Sequence, residues 1–204
     1  MRHGLIPHPL HFERHTCAGT ALWFPGPGPG RTGEGEISPF FRPDDEDLEG
    51  HVLVDFQAYD WFAEDQPLAA HPRDPFKRVD VVPSSRHVVV SLGGVVLADS
   101  TRAMALTETY LPLRWYVPRD DVRWEALVPS ETGSACAYKG HARYWSLASG
   151  DPDGADIGWS YEEPLSDAVR VRGYVAFWCE RTDLRLDGVD IPRPESLFFP
   201  RGTR

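Results

Sequence analysis

The chain has 204 residues, 41% of them hydrophobic and 25% charged, which is ordinary globular usage and excludes disorder throughout. Its net charge of −10 excludes a general nucleic-acid binder, which needs a basic surface to displace counterions, and equally a protein that docks on anionic lipid. Nineteen prolines, eighteen glycines and 12% aromatic residues point to short strands and many turns rather than long helices.

Residues 1–18 are rich in His and Pro and are expected to be partly disordered. His8, His11 and His15 could share one helical face, but Pro7 and Pro9 limit any helix there, and no metal site is expected. Pro25-Gly-Pro-Gly-Pro-Gly30 reads as a loop, and its prolines lack the N–H donors of a phosphate cradle. Residues 31–65 carry eleven Asp or Glu against Arg31 and Arg42 alone, a pattern that reads as a solvated acidic face. From His51 to Ala58 polar and apolar residues alternate as in a half-buried strand, and Asp60–Asp65 continues it or turns. His71-Pro-Arg-Asp-Pro75 marks a boundary, so the chain divides into residues 1–75 and a complete β domain at 76–204.

In the second part, strands are expected at Arg78–Val82, Arg86–Leu92 and Val95–Ala98, the last two joined by Gly93-Gly94 as a hairpin. Leu106–Tyr110 and Leu113–Val117 follow, separated by Pro112. Asp121 is read as the cap of a short helix over Val122–Leu127. Gly140–Leu147, Ile157–Tyr161 and Tyr174–Glu180 read as strands, Pro164–Ala168 as a helical turn, and Leu184–Leu186 with Val189–Ile191 as a hairpin over Asp187-Gly188. The tail from Pro192 is read as irregular. These elements give an all-β fold, barrel- or sandwich-like, of short antiparallel strands. No GxGxxG or Walker-type motif follows a strand, and no cofactor is implied.

Two pairs of words repeat at nearly one offset. Gly19-Thr-Ala-Leu-Trp-Phe24 matches Gly140-His-Ala-Arg-Tyr-Trp145, and Gly50-His-Val-Leu-Val-Asp-Phe56 matches Gly173-Tyr-Val-Ala-Phe-Trp-Cys179. Residues 78–138 have no counterpart in the first copy, so the first part reads as a partial repeat of the second. Three cysteines without regular spacing describe neither a disulfide framework nor a zinc site, which suits a reducing cytoplasm. The first ten residues lack a signal-peptide apolar run, and no stretch of about 20 apolar residues is present to span a membrane.

The words ADSTRA (98–103), ETYLPLRWYVP (108–118), DDVR (120–123), CAYKGHARYWS (136–146), GWSYEEP (158–164) and GYVAFW (173–178) resemble the bacterial and fungal family called domain of unknown function 427. They occur in the family's order. The segment 55–83 looks like the linker of actinobacterial tandem members, which implies a truncated first domain here. The resemblance implies an all-β fold and no particular activity. Cys136-Ala-Tyr-Lys-Gly140 departs from the family's usual Cys-Pro-Tyr-Lys-Gly.

The candidate site draws on these words. Lys139 beside Gly140 can meet an anion where the backbone allows close approach. Arg102 and Glu108 either clamp a polar ligand or pair with each other. Trp159 and Tyr161 alternate onto one strand face with Ser160 on the other, and Tyr116 can offer a hydroxyl from a buried ring. The expectation is a pocket of Arg102, Glu108, Tyr116, Lys139, Trp159 and Tyr161 for an anionic or polar aromatic small molecule. Two alternatives stand beside it. One is an enzyme using Lys139 or Cys136, the thiolate being aided by Lys139 or Arg143. The other is a scaffold or homodimer that pairs through open strand edges.

Overall fold

The computed structural model describes residues 10–14, 17–21, 40–41, 53–54, 60–74 and 76–199. The chain divides into two compact units, Met1–Pro75 and Phe76–Arg204. His8, His15, the Pro25–Gly30 run and most of the acidic segment lie outside the described residues, whereas His11 lies on a strand, Leu10–Arg14, and not on a helical face. So does the His51–Ala58 alternation apart from Leu53–Val54.

In the first unit β1 (Leu10–Arg14), β2 (Cys17–Ala21), β5 (Asp60–Ala63) and β6 (Gln66–Pro67) form an antiparallel sheet in the order β2-β1-β5-β6. β3 (Phe40–Phe41) and β4 (Leu53–Val54) form a separate pair. Within Asp60–Asp65 a strand and a turn both occur: β5 ends at Ala63, and Glu64 takes a positive φ of 52° in the tight turn to β6.

The second unit is a sandwich-like arrangement of two antiparallel sheets with no closed barrel among the described residues. Its strands are β7 (Val79–Pro83), β8 (Val88–Leu92), β9 (Val95–Ser100), β10 (Met104–Glu108), β11 (Leu111–Val117) and β12 (Leu127–Cys136). They continue as β13 (Gly140–Leu147), β14 (Gly158–Ser160), β15 (Val175–Phe177), β16 (Asp183–Leu186) and β17 (Val189–Ile191). The large sheet runs β12-β13-β14-β15-β11-β10-β7 and the small one β17-β16-β8-β9. Both expected hairpins form. Gly93 and Gly94 take φ of 56° and 82°, and Asp187 and Gly188 take 50° and 83°, the left-handed pairs that a two-residue turn needs to match strand twist.

Side-chain alternation decides which face each residue serves. Val88, Val90, Leu184 and Leu186 of the small sheet meet Trp115, Val117, Val175 and Phe177 of the large one in the inter-sheet core. The intervening residues, Tyr116, Trp159 and Ala176, join Leu106 and Val81 in a second core on the outer face of the large sheet. A 3-10 helix at Ser166–Val171 covers part of that face with Ala168 and Val171.

Three expectations are corrected. Val122–Leu127 is not one continuous helix: short 3-10 helices at Arg119–Asp121 and Trp124–Ala126 lead directly into β12. Asp121 caps nothing, because its carboxylate accepts from Ser100 Oγ at 2.6 Å and Arg102 Nη2 at 2.5 Å. Val122 is meanwhile tied to Ala98 by a β-bridge. Pro112 does not separate two strands but lies within β11, and the reversal falls at Thr109-Tyr110, where Tyr110 has φ 67°.

Candidate functional site

The outer face of the large sheet carries most of the expected site. In β11, Trp115 and Val117 point into the inter-sheet core, which turns Arg114 and Tyr116 the other way. Across the sheet Tyr116 is in register with Ala176, and Ala176 with Trp159. The small alanine between them lets the two large rings meet over the central strand. Trp159 Nε1 donates to the Tyr116 hydroxyl at 3.0 Å, and the rings stand edge to face, 90° apart with centroids at 6.3 Å. Tyr161, just past β14, falls on the same face, while Ser160 points away and accepts from Trp145 Nε1 at 3.3 Å. Burial raises the pKa of both the Tyr116 and Tyr161 hydroxyls, so both are neutral donors at any physiological pH.

Beside these rings is a buried charge cluster. Glu108, at the end of β10, has a side chain only 4% exposed. One carboxylate oxygen pairs with Lys139 Nζ, and the other with Lys77 Nζ at 3.0 Å. Burial alone would raise the Glu108 pKa. The Lys139 charge and the hydrogen bonds from both lysines outweigh it, and the carboxyl ends below its usual range. Lys139 owes its position to Gly140, whose φ of 93° suits a residue without Cβ. An added Cβ there would lie 3.2 Å from the Glu163 carbonyl, in the loop whose Leu165 N–H donates to the Lys139 carbonyl.

A second ion pair adjoins the aromatic residues. Arg114 donates through Nη1 and Nη2 to the two Glu180 oxygens at 2.6 and 2.7 Å, a bidentate fork with side chains 6% and 1% exposed. The same guanidinium lies over Trp159 and Trp178, 5.6 and 5.1 Å from the ring centroids. Burial acts to raise the Glu180 pKa, but the hydrogen bonds and charge of Arg114 hold it below the carboxylate range. Arg114 Nη1 also donates to Cys179 Sγ at 2.7 Å, yet burial prevails there and the thiol is pushed up to about 11.

The structure therefore brings together Glu108, Tyr116, Lys139, Trp159 and Tyr161, and leaves Arg102 out. No Arg102–Glu108 pair forms. Arg102 is 59% exposed at the end of β9 and bonds Asp121, while Glu108 faces the lysines. Lys139 is engaged by Glu108 and so is not a free cation beside Cys136, which is half-buried across the turn, in register with Gly140. Sequence reasoning missed Lys77, Arg114 and Glu180. Arg114 did carry a signal, being a cation inside the apolar run Leu111–Val117, and Glu180 closes a similar run. Lys77 carried none. All fully buried side-chain nitrogens and oxygens among the described residues have partners. The buried polar atoms of this face therefore all have hydrogen-bond partners. Among the described residues no group of His, Cys, Asp or Glu is arranged to hold a metal ion, and no helix is long and apolar enough to cross a membrane.

Comparison with known families matches residues 80–188 to the family described as domain of unknown function (DUF427). No curated protein matches the chain. The match includes every member of the buried network except Lys77.

Proposed function

The chain belongs to the DUF427 family, and we propose that its second unit is a small-ligand-binding domain whose site is the polar-aromatic outer face of the large sheet. One observation carries the reading: two ammonium groups, Lys77 and Lys139, share the single carboxylate of Glu108. A half-compensated positive charge in a poorly solvated place is costly, and a small anion relieves it. Lys77, 28% exposed, is the more accessible of the two and is the natural point of entry. The neighbouring rings of Trp159, Tyr116 and Tyr161 suit a ligand that is also flat. Thermal denaturation with a panel of small carboxylates and phosphomonoesters tests this. A binder at 100 times its dissociation constant adds about 2.7 kcal/mol. That gain should vanish in Lys139→Ala and shrink in Lys77→Ala. A panel that leaves the wild-type midpoint unmoved removes the proposal.

The enzymatic alternative narrows to Cys136. Lys139 Nζ is engaged by the Glu108 carboxylate, which disfavours it as an amine nucleophile. Alkylation of Cys136 by iodoacetamide faster than a free model thiol would favour this alternative. Pairing through open edges loses ground at β12, the long edge strand of the large sheet. Pro129 and a register shift between Pro129 and Gly133 both interrupt its template.

We also propose that residues 1–75 hold a partial copy of the same domain, in a cytoplasmic protein of the tandem type. Both glycine-led words support it. Gly19 lies on β2 and Gly140 on β13, each the return strand of an antiparallel hairpin, and the second pair contains β4 and β15.

A further inference from the structure

Beyond β17 the chain leaves the sheets as an irregular segment, residues 192–199, outside the family match at 80–188. Pro192 and Pro194 remove two backbone donors, so a strand ladder cannot continue. Arg193 Nη2 ties the start of the segment to Asp183 at 2.7 Å. Its other end is a turn closed on itself, with Phe199 N–H donating to the Ser196 carbonyl at 3.1 Å and Ser196 N–H donating back at 3.4 Å. Among the described residues these are the segment's only backbone–backbone hydrogen bonds.

The turn is seated by side chains on the aromatic end of the site. Phe198 and Phe199 pack edge-on against Trp178, with centroids at 5.6 and 5.3 Å. Ser196 Oγ accepts from the Phe198 N–H at 3.3 Å, which braces the turn that presents the two rings. Trp178 is the outermost ring of the stack, 4.5 Å from Trp159, and itself lies under Arg114. Trp178 is held in place independently, its Nε1 donating to the Asp156 carbonyl at 3.0 Å. The segment can therefore leave while the ring stays. Leu197 and Phe198 remain 77% and 57% exposed, so the segment invests little apolar surface in staying down. A piece attached by a few side chains, with no ladder to the sheets, belongs to the low-stability end of a protein and opens without global unfolding.

We propose that residues 192–199 are a strap closing the Arg114–Trp159–Trp178 end of the site, whose lifting uncovers Trp178. The closure is independent of the ligand reading. Only its use, to admit an anion toward Arg114, rests on that reading. Hydroxyl-radical footprinting of the full chain, read at each tryptophan by mass spectrometry, tests it. In Phe198→Ala/Phe199→Ala, and to a lesser degree in Ser196→Ala, oxidation of Trp178 should rise several-fold while Trp115, buried between the sheets, stays unchanged. Equal oxidation of Trp178 in all three chains overturns the strap, as does a rise at Trp115 that matches the rise at Trp178. Titration with inorganic phosphate by calorimetry is the second arm. Tighter binding by the strap variants supports admission of an anion. No phosphate heat in any chain, together with the Trp178 response, retains the strap and overturns the ligand reading alone.

Discussion

Glu108 is the residue on which the charge cluster turns. Its removal leaves two ammonium groups facing each other without a counterion, one of them almost fully buried. Glu108→Gln should therefore cost about 3 kcal/mol in a denaturant titration, the usual result of breaking a buried pair from one side. Glu108→Leu combined with Lys139→Met should recover most of that loss, since the desolvation of both charges is removed together and Lys77 can reach solvent. A double variant as unstable as Glu108→Gln would show that the pair contributes a net attraction. Tyr116→Phe probes the aromatic pair. It deprives the buried Trp159 N–H of its acceptor, and the expected loss is about 1–2 kcal/mol. In Trp159→Phe the same tyrosine substitution should cost much less; an unchanged cost would mean that the hydrogen bond does not couple the rings. Part of this face was legible in the sequence because Trp159, Ser160 and Tyr161 obey a period of two, and the same rule sends Tyr116 away from Trp115. Their charged partners were not legible. The partners of Glu108 lie thirty-one residues away on one side and thirty-one on the other, and sequence alternation says nothing about which strands become neighbours.

At the scale of elements, the hairpins were legible because their chemistry is local: Gly93-Gly94 and Asp187-Gly188 alone supply the positive φ angles required. β12 was missed for the opposite reason. It is an edge strand whose residues Glu131–Ala135 are all exposed, so it has no hydrophobic alternation to read. The helix expected after Asp121 failed because a competing tertiary demand took its cap, Ser100 and Arg102 claiming the carboxylate. The loop between β13 and β14 offers a test of how tightly such elements are packed. Gly154 is buried against Leu147, and a Cβ at 154 would fall 2.4 to 2.6 Å from three carbons of the leucine side chain, its own Cβ included. Gly154→Ala should then destabilise by about 1–3 kcal/mol through overpacking. Adding Leu147→Ala should relieve the clash, so that the two substitutions together cost less than the sum of their separate effects. Strict additivity in thermal melts would place the strain elsewhere.

For the molecule as a whole, two carboxylates among the described residues are buried and ion-paired, and this sets how stability responds to acid. Glu108 and Glu180 both have folded-state pKa values below the ordinary 4.5, because paired cations outweigh the opposing effect of burial. Between the folded and unfolded values the unfolded chain binds more protons, so falling pH favours unfolding. The contribution of both pairs is complete above about pH 4.5 and is lost as the pH falls through the depressed folded values. Urea midpoints for the second unit's transition should thus be insensitive to these two groups from neutrality to about pH 5, then drop with more than one proton taken up per unfolding event. Glu108→Gln/Glu180→Gln should be less stable at neutral pH and show a shallower acid limb, because neither position can then titrate. The comparison isolates the buried pairs from the half-buried Asp121 and the exposed Asp187 and Asp190, whose pKa values are also lowered by hydrogen bonds but which remain present in both chains. An acid limb of equal steepness in the two proteins would assign acid unfolding to those other carboxylates and would mean that the buried network on the outer face gives way before its carboxylates are protonated.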